Sequence, residues 1–385
     1  MAAVLLTEEQ QQIVQLARAF AAEHIAPHAA RWDAQKHFDR DVIARLGQLG
    51  FLGMLVPEAY DGLGLDTVTY VLAIEEIAAA DASIAVSVAV HNSLPAAMLL
   101  RHGSEAQRER WLKPMARGEL LAAFALSEAD AGSDAASLRL QAVRTADGWV
   151  LNGTKAWVSN GGTADVVLAM ARTDREGERR GAHGIGCFIV PTNVAGYAVG
   201  RAEDKMGLRA SNTTAVHFED LRLPADHLLG EAGAGLQYAL EALDGGRLGV
   251  AAQACGIARA ALEHATRYAA ERRQFGRAIA EFEALQFKLA DMATRLAAAR
   301  ALLHEAARRT DAGEPPTQWA AMAKLYASET AMWVATQAVQ VFGGYGFMRD
   351  YPVERLMRDA KATEIYEGTS EIQRLVIARH LLTLP

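Results

Sequence analysis

A chain of 385 residues has room for two or three domains, and 51% hydrophobic with 22% charged residues exclude a disordered one. Basic and acidic side chains number 39 and 46, a net charge of −7. The charge runs, such as 174–180, are short and mixed in sign, so neither nucleic acid nor an anionic membrane is an expected partner.

The first ten residues, MAAVLLTEEQ, reach Glu8 and Glu9 without a basic stretch ahead of an apolar core, so no secretory leader is expected. Thr7 followed by Gln10 is a capping-box pattern, after which Ile13, Leu16, Ala17 and Phe20 share one helical face. Pro27 ends or bends that helix. His24 and His28 stand four apart on it, but without a third ligand or an H-E-x-x-H context they read as packing groups, and no metal is expected. A Gly-, Pro- and Asp-rich break at 50–64 leads to an alanine-rich stretch from Thr67, with further helices through 105–117. No apolar stretch reads as long enough to span a bilayer. Residues 1–120 are therefore expected to form a helical domain.

From 121 to 230 the pattern changes. Short β-prone runs at 149–162, 165–171, 186–191 and 214–224 alternate with Gly, Asn and Pro, and Asn152 with Gly153 between two runs is a hairpin signal. Cys187 and Cys255 lack C-x-x-C spacing and have apolar neighbours, so they read as buried thiols of a reducing, cytoplasmic compartment. From 231 to 385 long helices return. Leu285, Leu289, Met292, Leu296 and Ala299 form one packing seam, and Trp319, Met322, Tyr326 and Trp333 a second stripe expected in the core. The fold class is α+β: an N-terminal helical domain, a middle β-sandwich or barrel, and a C-terminal four-helix bundle. A fold of alternating βα units is excluded, since no G-x-G-x-x-G follows a strand and no P-loop or nucleophile elbow occurs.

Three segments carry candidate chemistry. ALSEADAGSD (125–134) joins hydroxyls to Gly132; on turn chemistry alone it fits a structural loop as well as an anion cradle. QVFGGYGF (340–347) has three glycines after a helix where one would satisfy a C-cap, which suggests close approach by a ligand or another chain. In IYEGTSEIQR (365–374), Ser370 and Gln373 make a capping box, and Ile372, Leu375 and Val376 the apolar face of the final helix. Glu367 then lies just before that helix, flanked by Tyr366 and Gly368. A carboxylate among apolar and aromatic groups has a raised pKa and can act as a base; one stabilising a helix N-terminus is the alternative.

In this order the motifs resemble the acyl-CoA dehydrogenase family over essentially the whole chain. The resemblance rests on A-L-S-E-x-x-A-G-S-D (125–134) and Q-x-x-G-G-x-G-F-x-x-D with Arg355 and Asp359 (340–359). It extends to WVSN (157–160), KMGLRAS (205–211), LDGGR (243–247), RRQFG (272–276) and YEGTSE (366–371). It implies FAD as cofactor, an acyl-CoA thioester as substrate, and an electron-transfer flavoprotein as partner. The family's chemistry is α-proton removal by a carboxylate, here Glu367, with hydride transfer from the β-carbon to flavin N5. Some relatives carry the base on the helix of LDGGR, but that stretch offers Gly245, Gly246 and Arg247 here.

The same resemblance assigns Phe124, Ala125, Leu126, Ser127, Gly132, Ser133, Trp157, Val158 and Ser159 to the flavin, Ser159 at its reactive edge and Trp157 beside the ring. It gives Arg272, Phe275, Gln340, Val341, Phe342, Gly343 and Gly344 to the FAD of a neighbouring subunit, Arg272 at the pyrophosphate, and Thr369, Ser370 and Glu371 to the adenosine end. Ser133, Asp244, Arg247, Tyr366 and Gly368 are expected at the substrate. A site completed by two chains implies an obligate oligomer, in this family most often a homotetramer. Two positions depart from the pattern. Glu283 replaces a glutamine that contacts FAD across the interface, and Ala129 replaces a proline. The expected substrate is a short or short-branched acyl-CoA, as in the short-chain, butyryl-CoA-like subgroup that serves fatty-acid β-oxidation or branched-chain amino-acid catabolism. An oxidase or flavin monooxygenase on the same fold, or a non-catalytic flavin or acyl-CoA binder, is the alternative.

Overall fold

The computed structural model describes residues 6–174 and 181–382; residues 1–5 of the N-terminal stretch and 175–180 of the charge run lie outside the described residues. Helix α1 (Glu8–Phe20) opens on the capping box: the Thr7 hydroxyl accepts the Gln10 N–H, and the Gln10 side chain accepts the Thr7 N–H, each at 3.2 Å. It widens into a π turn over Ala21–Ile25, and Pro27 sits in the break before α2 (Ala29–Gln35). His24 packs on Phe20 and His28 on Trp32, with ring centroids 4.8 and 5.3 Å apart.

α3 (Arg40–Gln48) and α4 (Thr67–Ala80) follow, then the continuous α5 (Ala82–His102). Asp66 caps α4 by accepting the Thr69 N–H at 2.6 Å, and Asp81 caps α5 by accepting those of Ser83 and Ile84 at 2.7 and 3.0 Å. By length and mean hydropathy (1.5 over its best window) α5 meets the requirement for crossing a membrane, contrary to the sequence expectation. Its apolar surface is instead covered by protein, 89% of that window being buried.

Among the described residues eight strands follow: β1 (Ala122–Ala125), β2 (Gln141–Arg144), β3 (Gly148–Ser159), β4 (Val166–Arg172), β5 (Ile185–Pro191), β6 (Tyr197–Ala202), β7 (Thr213–Pro224) and β8 (Leu228–Leu229). They run in the order β6-β7-β3-β2-β4-β5-β8, with β1 added parallel to β4. The sheet curls on itself, for Trp149 of β3 meets Phe188 of β5 edge-to-face at 5.2 Å although β2 and β4 separate those strands. Every residue of β4 is buried, and the two-residue period of a strand divides them between two cores. Val166, Leu168 and Met170 join the helical core; Val167, Ala169 and Ala171 join the core inside the curled sheet. β5 divides likewise, with Ile185, Cys187 and Ile189 on one side and Phe188 and Val190 on the other. These two strands fasten the middle region to the helices.

Asn152 and Gly153 do not turn a hairpin. β3 runs straight through them, with a register shift opposite β7 where Asn152 exchanges two hydrogen bonds with Asp220 (3.0 and 2.8 Å). Gly153, at φ +140°, lies on Leu140, where a Cβ would crowd the leucine side chain.

The C-terminal helices are α6 (Gly235–Glu271), α7 (Glu283–Asp311), α8 (Thr317–Phe342), α9 (Pro352–Thr363) and α10 (Ser370–Leu381). The α7 seam is as expected at Met292, Leu296 and Ala299, all fully buried. The aromatic stripe of α8 is not its core face. Trp319, Met322 and Trp333 are only partly buried and Tyr326 is exposed, while Ala320, Ala323, Ala327, Ala331 and Val334 pack inside. Small residues there and on α6 let the backbones approach: a Cβ on Gly256 would collide with the Glu75 carbonyl of α4. Glu75 and Glu76 are paired in turn by Arg259 and Arg300, and Glu76 also by Arg18 of α1 at 2.8 Å.

Because Phe188 is fully buried where the sheet closes on itself, Phe188→Ala should cost about 3–5 kcal/mol. A clear fall in the thermal unfolding midpoint checks this.

Candidate active site

Local order in the middle region begins with a buried ion pair. Lys155 of β3 is fully buried, and its ammonium donates to the Glu128 carboxylate and to the Leu126 carbonyl, both at 2.8 Å. Glu128 also accepts the backbone N–H groups of Arg139 and Leu140 at 2.7 and 2.9 Å. Burial draws the Lys155 pKa down to about 8, against the raising influence of Glu128. The glutamate of the 125–134 segment is thus the anchor that ties its loop to β3. A further hydrogen bond, from the Ala156 N–H to the Ser127 carbonyl at 2.9 Å, sets Ser127 beside the end of that strand.

There β3 breaks register against β7 between Lys155 and Val158, and Trp157, 57% exposed, adopts left-handed φ +55°. A non-glycine residue in that region costs about 1–3 kcal/mol, and such strain concentrates at functional sites. Ser127 and Ser159 are half-buried beside it, Phe124 is partly covered, and Ala125, Leu126 and Val158 are buried. Gly132 and Ser133 are exposed, with open space where a Gly132 side chain would stand.

A second strained turn precedes α10. Glu367 (φ +53°) and Gly368 (φ +91°) are both left-handed. Their carbonyls are held from two sides: Gln373 donates to both, at 3.1 and 2.8 Å, and the Lys324 ammonium donates to that of Gly368 at 2.7 Å. This turn swings the Glu367 carboxylate onto α6 at Gly246, where a Cβ would overlap its Oε2. Oε2 is buried and has no hydrogen-bond partner. Loss of water raises the Glu367 pKa to about 7, with Lys324 and Arg247 pulling the other way.

Gly246 lies between Asp244 and Arg247, which pair at 2.5 Å; the Thr317 hydroxyl donates to the other Asp244 oxygen at 2.6 Å. Asp244, Arg247 and Thr317 line a cavity of about 930 Å³ with Ser133, Leu236, Leu240 and Ile372. Past Gly246 the same face of α6 meets Tyr70, whose hydroxyl stands where a Gly249 Cβ would be, and then Gln253. The buried Gln253 accepts the Tyr366 hydroxyl and donates to the Ala82 carbonyl at 2.7 Å.

The structure therefore gathers Glu367, Tyr366, Gly368, Asp244, Arg247 and Ser133 around one helix face and its cavity. It sets Arg272, Phe275 and Gln340–Gly344 apart as a second group. There Arg272 lies over the Tyr345 ring at 5.5 Å, Phe275 is 92% exposed, and Gly343 and Gly344 face open space. Val341 and Phe342 are buried at the end of α8, with the Phe342 ring stacked on Tyr268 at 4.0 Å. Glu283 is exposed in the first turn of α7.

The cap of α10 is shifted by one residue from the sequence reading. Thr369 accepts the Ile372 N–H at 3.3 Å, Ser370 begins the helix with its hydroxyl buried and unpartnered, and Gln373 serves the Glu367 turn instead. Glu371 is exposed in the first turn. Ile372, Leu375 and Val376 are not a buried face; they line the cavity. Sequence reasoning missed Lys324, Gln253, Tyr70 and the Glu128–Lys155 pair. The signal for Lys324 was present, as a single charge on the alanine face of α8. Among the described residues no cluster of His, Cys, Asp or Glu is arranged to hold a metal.

Three family profiles match in order: "Acyl-CoA dehydrogenase, N-terminal domain" over residues 7–119, "middle domain" over 123–221 and "C-terminal domain" over 233–382. A short-chain specific acyl-CoA dehydrogenase of Clostridium acetobutylicum is 43% identical over 97% of this chain and 98% of its own. Butyryl-CoA dehydrogenase of Megasphaera elsdenii superposes with a TM-score of 0.96 at 43% identity, covering 99% of this chain and all of the other. A chain from a structure titled for the electron transferring flavoprotein of Acidaminococcus fermentans superposes at 0.97, with 45% identity over 99% of this chain and 100% of that one.

Replacing Lys155 with Met leaves the Glu128 carboxylate buried without its counter-charge. The variant should lose about 3–5 kcal/mol in denaturant unfolding, far more than a surface lysine would.

Proposed function

The chain belongs to the acyl-CoA dehydrogenase family, and on that premise we propose that Glu367 is its catalytic base. The reaction is FAD-dependent α,β-dehydrogenation of an acyl-CoA thioester, with electrons passed on to an electron-transferring flavoprotein. One observation carries the role of Glu367: a half-buried carboxylate whose Oε2 is buried and unpartnered rests on the α6 backbone between two residues that line the cavity. An oxygen free of hydrogen bonds is free to take a proton, and a pKa near 7 leaves much of it ionised at neutral pH.

The α-proton passes to the Glu367 carboxylate as the β-carbon gives up a hydride, leaving a trans double bond between them. FAD held there would supply the hydride acceptor that balances this step. The residues present fit the cofactor. Trp157 presents an open indole face for a flat ring, and Ser127 and Ser159 bring hydroxyls to the same strand end. Phe124, Gly132 and Ser133 bound the same place, while Asp244, Arg247, Tyr366 and Gly368 orient the thioester against Glu367. The second group, Arg272 with Phe275 and Gln340–Gly344, serves the FAD of a neighbouring subunit. Thr369–Glu371 lie at the adenosine end. The 92% exposure of Phe275 and 82% exposure of Phe347 in one protomer support burial against another copy, in keeping with the family's tetramers. Glu283 would meet a pyrophosphate with like charge, which disfavours a direct cofactor contact there.

The acyl group is short. Beyond Glu367 the face of α6 is closed by Tyr70, Gln253 and Tyr366, whose hydrogen-bonded polar groups would be stranded by a long hydrocarbon tail. The names of the relatives point the same way. The chain reads as three parts meeting near residues 120 and 230, and a cytoplasmic location accompanies this reading.

Glu367→Gln should keep its bound flavin while flavin reduction by butyryl-CoA slows by about 10²–10⁴-fold. Reduction at the wild-type rate removes Glu367 from the role. Since only the carboxylate form accepts a proton, the wild-type rate should rise with pH through about 7 and level off above it; a rate flat from pH 5 to 9, read by anaerobic stopped flow, contradicts this.

A further inference from the structure

Two lysines are wholly buried, and their surroundings differ. Lys155 sits directly on its counter-ion at 2.8 Å. Lys324 of α8 makes no salt bridge among the described residues; its hydrogen bond goes to the Gly368 carbonyl at 2.7 Å. Keeping an ammonium dry without a carboxylate in contact is costly, so its position asks for a reason. Close by, Glu367 is the mirror case, a carboxylate whose Oε2 is buried and unpartnered. The two charges share one compartment without closing on each other.

We propose that Lys324 is the positioning residue of the base: by holding the Gly368 carbonyl it fixes the left-handed Glu367–Gly368 turn, and from there it faces the carboxylate with a positive charge that does not occupy its proton-accepting oxygen. This rests on the reading of Glu367 as base. Direct contact would satisfy the carboxylate and weaken it as a base; removal to bulk water would leave the negative charge unsupported. The intermediate placement stabilises the ionised form and keeps Oε2 free. The other groups that face Glu367 are Arg247 from α6, already engaged by Asp244, and the neutral hydroxyls of Tyr70 from α4 and of the adjacent Tyr366. Lys324 in turn is faced by Glu367, Arg247, Glu364 and Glu371. Burial depresses Lys324 and raises Glu367, while each favours the charged form of the other.

The test compares flavin-loaded wild type, Lys324→Met and Lys324→Gln in anaerobic reduction by butyryl-CoA, between about pH 5.5 and 9. The methionine removes both the charge and the hydrogen bond; the glutamine removes the charge and keeps an N–H donor. With the cation gone the carboxylate protonates more readily, so the acid limb of both variants should move up by about one pH unit. The limiting rate of Lys324→Met should also fall by about tenfold or more as the turn loosens, with Lys324→Gln retaining more of it and the half-saturating butyryl-CoA concentration changing by less than about twofold in both. If Lys324→Met does not load flavin, Lys324→Gln decides: a shifted limb supports the proposal. A limb and limiting rate unchanged from wild type in the variants overturn it. Failure of the wild type itself to reduce flavin would be a different result, striking at Glu367 as base and not at Lys324.

Discussion

The structure is organised around a carboxylate kept from water. Glu367 has a pKa near 7 because the protein withholds solvation, and three unrelated segments cooperate in withholding it. Two left-handed residues turn the side chain away from its own helix, a glycine on α6 makes room for it, and the α4–α6 packing seals the far side with Tyr70. Together they place one unsatisfied oxygen beside a cavity large enough for a thioester.

The same economy of means recurs in the middle region. The glutamate of the 125–134 segment is a buried anchor, and what it anchors is the strand end that presents Trp157 and Ser159. A motif rich in small residues and hydroxyls thus contains one residue whose task is to hold the others. The strain at Trp157 persists because the Lys155 pair on one side and the β7 ladder on the other leave that backbone no alternative.

Much of this was legible in the sequence, and the failures have physical causes. The succession of helices, strands and helices could be read from periodicity, as could the capping box at Thr7. Glu367 could be placed before a helix, though its cap was assigned to Ser370 because two adjacent hydroxyls offer the same chemistry and only the backbone geometry separates them. Asn152–Gly153 suggested a hairpin because the runs beside it are β-prone, but both runs pair with β7 and not with each other, a long-range fact no local signal carries. The α8 stripe misled because large aromatics dominate a hydrophobicity pattern while alanines make the tighter contact. Lys324 is hidden for a similar reason: charge on a helix reads as surface unless the partner across the fold is known.

The division of β4 between two cores has a consequence for how the molecule finds its fold. Toward the helices the strand shows Val166, Leu168 and Met170; toward the sheet interior it shows Val167 and the two alanines 169 and 171. Sliding the chain by one position would push methionine and leucine into niches shaped for a methyl group and leave voids where they belong. Wrong pairings are thereby penalised on both faces at once, so this strand acts as a vernier: it sets the notch at which the sheet and the helices are joined.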